Sequence, residues 1–130
     1  MLLVVDANVL IAELLRKRGR KLINSTQLEI YMAVQVKNEV EYELKKRIEK
    51  IVSQGRISKD AGEKQLDGAF DLINTKVRLV PKAFYSYLEI EAKKRISKDE
   101  NDWEIVALAL ALPAAIWTED YDFLGCSCNL

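Results

Sequence analysis

The sequence contains no histidine, and cysteine and proline each occur only twice. Without histidine, the chain cannot form a Ser-His-Asp triad, a Cys-His pair or any catalytic centre built on paired histidines. The two cysteines, Cys126 and Cys128, are separated by a single residue, a spacing that rarely permits an unstrained disulfide. They also cannot complete a common zinc site without histidine. We therefore predict free thiols in a reducing compartment, with any chemistry resting on carboxylates, hydroxyls or basic side chains.

Long apolar runs and an excess of one charge are also missing. The longest apolar run, Ile105–Ile116, is shorter than the roughly 20 residues that a membrane span needs. The N-terminus has no basic region and no small-residue cleavage site, so we expect a cytoplasmic protein without a signal peptide. The 20 basic and 20 acidic residues balance, which argues against a simple cationic nucleic-acid coat. The 130 residues, 49% of them apolar, fit one soluble globular domain spanning residues 1–130.

Short apolar runs alternate with helical patterns along the chain. Strands are predicted at Leu2–Val5, Leu28–Val34, Val77–Val80 and Ala115–Thr118. Helices are predicted at Val9–Arg18 with Gly19 as its stop, Gln35–Gln54 ended by Gly55, Lys59–Asn74 capped by Ser58, Pro81–Arg95 and Glu104–Leu112. Strands that alternate with helices favour an α/β fold with a parallel sheet and helices on both faces.

Acidic residues lie near one edge of this predicted sheet. In an open parallel sheet, ligands bind beyond the carboxyl ends of the strands. The acids at strand ends or helix starts near this edge are Asp6, Glu39, Asp102 and Asp120. Each one alone is better explained by a helix cap, a turn or a solvated surface than by a functional site. Their joint placement favours a Mg²⁺ or Mn²⁺ site, because crowded carboxylates repel one another without a cation.

Helical spacing favours two of these acids over neighbouring acids as candidates for the site. Glu39 borders the buried stripe of its helix, whereas Glu41 points well away from it. Asp102 precedes Ile105 at the spacing of an inward stripe, so we prefer it over Asp99, which lies in the preceding loop. Whether Asp99 also binds metal stays open, as does the number of metal ions. A metal held in this way can activate water and stabilise a phosphate, so the cluster fits phosphodiester hydrolysis without histidine.

Four segments resemble the motifs of the PIN-domain family of metal-dependent ribonucleases. The segment Val4–Leu10, with the sequence VVDANVL, resembles the opening motif of the family. Glu39 in Val-Lys-Asn-Glu matches the second acid, and Asp102 followed by Ile105–Ala109 resembles the third. The segment Ile116–Phe123, with the sequence IWTEDYDF, resembles the T-x-D-x-D-F ending. Together the four motifs cover nearly the whole chain in order and spacing.

The resemblance implies a three-layer α/β/α sandwich with a central, mostly parallel sheet of four to five strands. It also implies Mg²⁺- or Mn²⁺-dependent endonucleolytic cleavage of RNA, with Asp6, Asp102 and Asp120 as metal ligands. Glu39 would bind a metal or orient its water. The supporting polar residues would be Asn8, Thr118 and Asp122, and whether Asp122 also binds metal stays open. Many relatives are toxins neutralised by an antitoxin protein, and many are homodimers, so both partners are expected besides RNA.

Two surface patterns and two other functions complete the predictions. A cationic cluster could hold RNA phosphates or could be a solvated helix end: Arg16, Lys17, Arg18, Arg20 and Lys21. The apolar helix Ile105–Leu112 could form a homodimer through Leu108 and Leu112, or could be buried internally. The chain could also be a catalytically silent PIN-like protein-interaction module. A haloacid-dehalogenase-like phosphatase ranks lower, because Asn8 occupies the position of its second aspartate.

Overall fold

A computed structural model describes residues 1–96 and 102–119 of the chain. Its sheet consists of β1 (Leu2–Val5), β2 (Glu29–Ala33), β3 (Val77–Val80) and β4 (Ala115–Trp117). The strands follow the order β3-β2-β1-β4, and every neighbouring pair is parallel. The predicted α/β class and the parallel sheet are therefore confirmed, with four strands within the described part of the chain.

Helices cover both faces of this sheet. The α-helices are α1 (Ala7–Leu14), α2 (Lys17–Ile23), α3 (Val36–Ser53), α4 (Lys59–Lys76), α5 (Glu89–Arg95) and α6 (Trp103–Ala111). Helices α1 to α4 share one buried cluster with the sheet, and α5 and α6 form a second cluster on the opposite face. The three-layer α/β/α sandwich is thus confirmed. No helix in the described ranges is long and apolar enough to cross a membrane.

Side chains that point alternately to the two faces of the sheet contribute to both of these buried clusters. Successive side chains of a strand point to opposite faces of the sheet. Val4 and Ile116 pack against the α5 and α6 layer, whereas Val5 and Met32 pack against the layer of α1 to α4. Because both faces are covered, the strands are mostly apolar rather than regularly alternating in polarity, and Glu29 in β2 and Arg78 in β3 are the exceptions. This explains why short apolar runs were sufficient to predict them.

The prediction that Gly19 ends the first helix is wrong. Helix α1 already ends at Leu14, and Gly19 lies buried inside α2. A Cβ atom at Gly19 would lie 2.2 Å from the carbonyl oxygen of Glu13, a distance that no side chain tolerates. Glycine is therefore needed here for the close approach of α2 to the end of α1, which is a tertiary requirement.

The helix predicted from Pro81 to Arg95 is also incorrect in its first half. Two short 3₁₀ turns, Lys82–Phe84 and Ser86–Leu88, follow β3 before α5 begins at Glu89. Tyr85 lies between the two turns, outside the α-helical region with φ −123°, and its side chain is completely buried. The helix is thus interrupted at Tyr85, where this large side chain packs into the core. The spacing of the apolar residues in this segment did not predict that tertiary contact.

Helix α6 is buried within the chain. Leu108, predicted to face outward in a dimer, has 0% of its surface exposed. Leu112 is half-buried and packs against the same cluster. Because α5, β1 and β2 all contact α6, its apolar character on every side is explained by internal packing. The predicted outward ridge of Leu108 and Leu112 is therefore wrong.

The connections create a crevice beside β1. From β1 the chain moves outward to β2 and β3, with α1 to α4 on one face. It then returns along the other face, through α5 and α6, to place β4 on the opposite side of β1. The strand order thus reverses between β1 and β4, which is where open α/β sheets bind their ligands beyond the carboxyl ends of the strands.

Candidate active site

Asp6 lies at this point of reversal, directly after β1. Its backbone N–H donates to the carbonyl oxygen of Trp117 at 3.0 Å and so extends the pairing of β1 with β4. Its carboxylate is half-buried and has two described donors. The Thr118 hydroxyl donates to Oδ2 at 3.0 Å, and the Asn8 N–H donates to Oδ1 at 3.4 Å. Asp6 therefore caps α1 and is also fixed to the end of β4.

Glu39 is delivered by the first turn of α3. The turn is anchored by Val40, which is completely buried, and by the half-buried Val36. Glu39 itself is exposed and faces the same cavity as Asp6. Glu41, predicted to point away from the buried stripe, is half-buried, and its carboxylate lies 4.0 Å from the Lys37 ammonium. The spacing of α3 thus places Glu39 at the site and pairs Glu41 with a neighbour on its own helix.

Asp102 occupies the N-cap position of α6, although its side chain does not cap the helix. It is half-buried, and Ile105 and Leu108 on the same helix line the same cavity. Asp102 therefore lies on the same inward side of α6 as these two residues, as predicted from the sequence, and faces the crevice. Asp99, the competing candidate, lies outside the described residues.

One cavity of about 300 Å³ brings these acids together. Its walls include Asp6, Glu39 and Asp102 together with the amide of Asn8, and its apolar lining includes Val5. Asp120 and Asp122, predicted to complete the cluster, lie outside the described residues, as do Cys126 and Cys128. Within the described residues, the site thus joins an acid from β1, one from α3 and one from α6.

Two further polar residues line this cavity that the sequence reasoning missed, Gln35 and Glu104. The Gln35 amide donates to the Tyr85 hydroxyl at 2.6 Å and also to the Glu104 carboxylate. Gln35 closely follows β2, so the rule that located Asp6, polar residues just after strands, could have found it. Glu104 lies in the first turn of α6, and its contact with Gln35 depends on the packing of α6 near the start of α3.

Basic and aromatic groups flank Glu104 on the outer side of the cavity. The Lys82 ammonium lies 3.7 Å from the Glu104 carboxylate and 5.6 Å from the ring centroid of Trp103. The Trp103 ring lies 5.9 Å from the Tyr85 ring, centroid to centroid. Burial raises the pKa of Tyr85, and the nearby Glu104 charge raises it further, although the hydrogen bond from Gln35 opposes them. Glu104 therefore lies between the cavity and two groups outside its lining, the Lys82 ammonium with which it pairs and the neutral phenol of Tyr85.

The predicted cationic cluster lies away from the cavity. Helix α1 starts at the cavity and its 8 residues rise about 12 Å, so the cluster from Arg16 onwards begins beyond its far end. Within the described residues, no member of the cluster lines the cavity. Arg16 is paired with Glu13 at 3.1 Å, and Arg20 donates to the carbonyl oxygen of Leu14 at 3.1 Å. The role of this cluster in RNA binding stays a prediction.

The oxygen donors of the cavity suit a hard divalent cation. Carboxylate and amide oxygens are the ligands that Mg²⁺ and Mn²⁺ favour, and Asp6, Glu39, Asp102 and Asn8 provide both kinds. In the described ranges these acids do not converge on a single metal-sized point. Mg²⁺ usually keeps several waters between itself and the protein, and a cavity of about 300 Å³ has room for them. The residues therefore fit such an ion in donor chemistry and in space.

Comparison with known proteins agrees with this arrangement. The family model described as PIN domain matches residues 4–129, which is nearly the entire chain. No match is found among curated proteins. PIN domains are generally nucleases, and they typically use divalent metals. With the acids of β1, α3 and α6 around one crevice of a parallel three-layer sandwich, the chain belongs to the PIN-domain family.

Proposed function

We propose that this chain is a Mg²⁺- or Mn²⁺-dependent endoribonuclease that hydrolyses RNA phosphodiesters in the Asp6 cavity. The observation that carries the proposal is the position of Asp6, hydrogen-bonded to Thr118 at the reversal point, in one cavity with Glu39 and Asp102. PIN nucleases act on nucleic acid, and the absence of histidine leaves carboxylates as the groups best suited to this chemistry.

The side chains of the cavity would share the work of binding and orientation. Asp6 and Asp102 would hold the metal together with Asp120, and Glu39 would bind it or orient a water. When bound, such an ion supplies positive charge to the phosphate and activates the attacking water. Thr118 and Asn8 would keep the Asp6 carboxylate in one orientation. The apolar wall from Ile105 and Leu108 would exclude bulk water and strengthen electrostatic interactions in the cavity.

The direct test is RNA cleavage by purified protein with Mn²⁺ and with a chelator. Wild type is expected to cleave only with the metal, and Asp6→Asn is expected to lower the rate by at least about a hundredfold, because it removes a ligand charge while preserving shape. Asp67→Asn is the matched control, since Asp67 is exposed on α4 and does not line the cavity. Cleavage by Asp6→Asn at the wild-type rate would disprove the assignment.

The alternative is a PIN-like module that is catalytically silent and acts only through protein contacts. A titration with Mn²⁺, followed by calorimetry, distinguishes it from the nuclease. A nuclease is expected to show a divalent site that Asp6→Asn weakens, whereas a silent module would show none. Membership of the PIN-domain family leaves the haloacid-dehalogenase-like phosphatase without support, and Asn8 also occupies the position of its second aspartate.

The family resemblance supports further proposals about partners and location. We propose that the chain is the toxin of a toxin–antitoxin pair, acts in the cytoplasm and forms a homodimer. The dimer no longer rests on α6, because Leu108 is buried within the chain. Light scattering at high protein concentration tests the dimer, and a strictly monomeric mass would contradict it. A small neighbouring gene that suppresses toxicity on co-expression would support the antitoxin.

A further inference from the structure

One side-chain amide joins the starts of the two helices that carry Glu39 and Asp102. Gln35 lies directly before α3, four residues before Glu39, and its amide donates to the carboxylate of Glu104. Glu104 lies in the first turn of α6, two residues after Asp102. Helix α3 packs on one face of the sheet and α6 packs on the other. The contact between Gln35 and Glu104 therefore connects the two helical layers at the wall of the cavity.

The Gln35 amide also has a buried partner. Gln35 is exposed, but its Nε2 donates to the hydroxyl of Tyr85 at 2.6 Å, and Tyr85 is completely buried in the layer of α5 and α6. An amide nitrogen carries two hydrogens, and an ionised carboxylate can only accept, so the bonds to Tyr85 and Glu104 use both hydrogens. The two bonds therefore hold an exposed side chain against a buried one, and they give the buried phenol a partner.

Glu104 is engaged by two groups outside the set of candidate ligands. Its carboxylate accepts from Gln35 and lies 3.7 Å from the ammonium of Lys82. A metal ion bound to Glu104 would have to compete with both of them. Gln35 and Glu104 therefore fit the support of the cavity better than they fit its ligand set.

We infer that Gln35 is a positioning residue, which sets the separation of Glu39 and Asp102 across the cavity by holding the start of α3 to the start of α6. The inference rests on the proposed metal-dependent function. Neither acid is fully buried, since Glu39 is exposed and Asp102 is half-buried, so their separation depends on how the two helix starts are held. Ligands must be held within about 0.5 Å of the geometry that an ion needs. Groups that orient ligands without touching the ion change its affinity by about 10- to 100-fold when they are removed.

The first measurement is the affinity for Mn²⁺ by calorimetry, in the absence of RNA. Gln35→Glu retains the length of the side chain but places a carboxylate against that of Glu104, so the two helix starts should repel each other. We expect this variant to bind Mn²⁺ about tenfold more weakly than wild type. The added negative charge alone would have the opposite effect, because it attracts the cation. Tighter binding of Mn²⁺ by Gln35→Glu would therefore overturn the inference.

A charge-preserving exchange tests the contact itself. The double variant Gln35→Glu with Glu104→Gln reverses donor and acceptor, so that the amide at position 104 and the Tyr85 hydroxyl can both donate to the carboxylate at position 35. It should recover most of the Mn²⁺ affinity that Gln35→Glu loses, and an affinity as weak as that of the single variant would contradict the inference. Gln65→Glu is the matched control, since Gln65 lies on α4 and does not line the cavity, and it should bind Mn²⁺ as wild type does.

Two further readouts separate positioning from stability. If Gln35→Glu lowers the melting temperature in chelator but leaves the Mn²⁺ affinity of the folded protein unchanged, the contact is only structural and the inference is wrong. In RNA cleavage at a fixed Mn²⁺ concentration, kcat should fall about tenfold while the KM for RNA stays close to that of wild type, because Gln35 acts on the metal ligands rather than on the strand.

Failure of the inference can be told apart from failure of the proposed function. Wild type that binds Mn²⁺ but does not cleave RNA overturns the ribonuclease alone, and the Mn²⁺ affinities of the variants still decide the role of Gln35. Wild type that cleaves RNA, while Gln35→Glu binds Mn²⁺ and cleaves as wild type does, overturns the inference alone. A wild type without a Mn²⁺ site overturns both.

Discussion

The hydrogen bond between Thr118 and Asp6 joins residues 112 positions apart in the sequence. Thr118→Val preserves the shape of the side chain but removes the donor to Oδ2. We expect cleavage to fall about tenfold and Mn²⁺ to bind more weakly, because hydrogen bonds to charged groups contribute about 1.5–3 kcal/mol. Thr118→Ser keeps the hydroxyl and should behave nearly as wild type. Measured rates and Mn²⁺ titrations that are the same for Val and Ser would show that the contact is dispensable.

Site residues could be predicted where one local rule sufficed. Asp6 follows a buried strand, Glu39 borders the buried stripe of its helix and Asp102 begins an apolar helix. Each of these relations is visible within a few positions of the sequence. The contact of Gln35 with Glu104 joins residues 69 positions apart, so no local pattern shows it. The roles of the acids remain predictions until cleavage is measured.

At the scale of elements, the end of α3 shows how a single glycine sets a boundary. Gly55 has φ +73°, the left-handed conformation that glycine adopts without strain. Its N–H donates to the Val52 carbonyl oxygen, and the N–H of Arg56 donates to that of Ile51. These two bonds form a Schellman motif that satisfies the last carbonyls of the helix. The predicted end of this helix at Gly55 is thereby confirmed.

Two other glycines, both on α4, should respond to alanine in opposite directions. A Cβ at Gly62 would lie 2.7 Å from Cγ2 of Val52 on α3, whereas a Cβ at Gly68 would meet nothing within 4 Å. Gly62→Ala should therefore destabilise the fold by about 1–3 kcal/mol through overpacking. Gly68→Ala should stabilise it by about 0.5–1 kcal/mol, because alanine favours the helix. Urea unfolding of both variants tests this, and effects of equal sign would refute the packing of α4 on α3.

Helices and strands could be predicted where residues close in sequence determine their ends. Strands β1 and β3 match their predicted bounds, and Ser58 caps α4 as expected, with its hydroxyl accepting the Ala61 N–H at 3.1 Å. The break between α1 and α2 and the 3₁₀ turns after Pro81 were not predictable. Both depend on distant packing, at Gly19 against Glu13 and at the buried Tyr85.

At the scale of the whole molecule, the site should oppose folding until metal binds. Acids that line one cavity repel one another, and neutralising such an unfavourable arrangement commonly gains roughly 0.5–2 kcal/mol. We therefore expect Asp102→Asn to melt higher than wild type in chelator. With saturating Mn²⁺, wild type should gain stability by mass action and the variant should gain much less. Thermal melts in chelator and in Mn²⁺ measure whether the difference in melting temperature between the variant and wild type changes sign.

The same melts test whether Asp102, rather than Asp99, is a metal ligand. Asp67→Asn, on the exposed side of α4, is the control and should respond to Mn²⁺ as wild type does. If Asp102 were only an acid favoured by the helix dipole, its replacement by Asn would be neutral or slightly destabilising in chelator. An equal rise in melting temperature for wild type and Asp102→Asn would remove Asp102 from the ligands and make Asp99 the next candidate.

The placement of β4 beside β1 also has a consequence for the timing of synthesis. A ribosome makes β1, β2 and β3 in succession, and these three can pair as soon as they emerge. The donor to Oδ2 of Asp6 is still missing at that stage, because Thr118 is translated long after β3. Because we expect loss of this contact to slow cleavage about tenfold, a nascent chain shorter than 118 residues should attack the message that encodes it more slowly than the completed chain does.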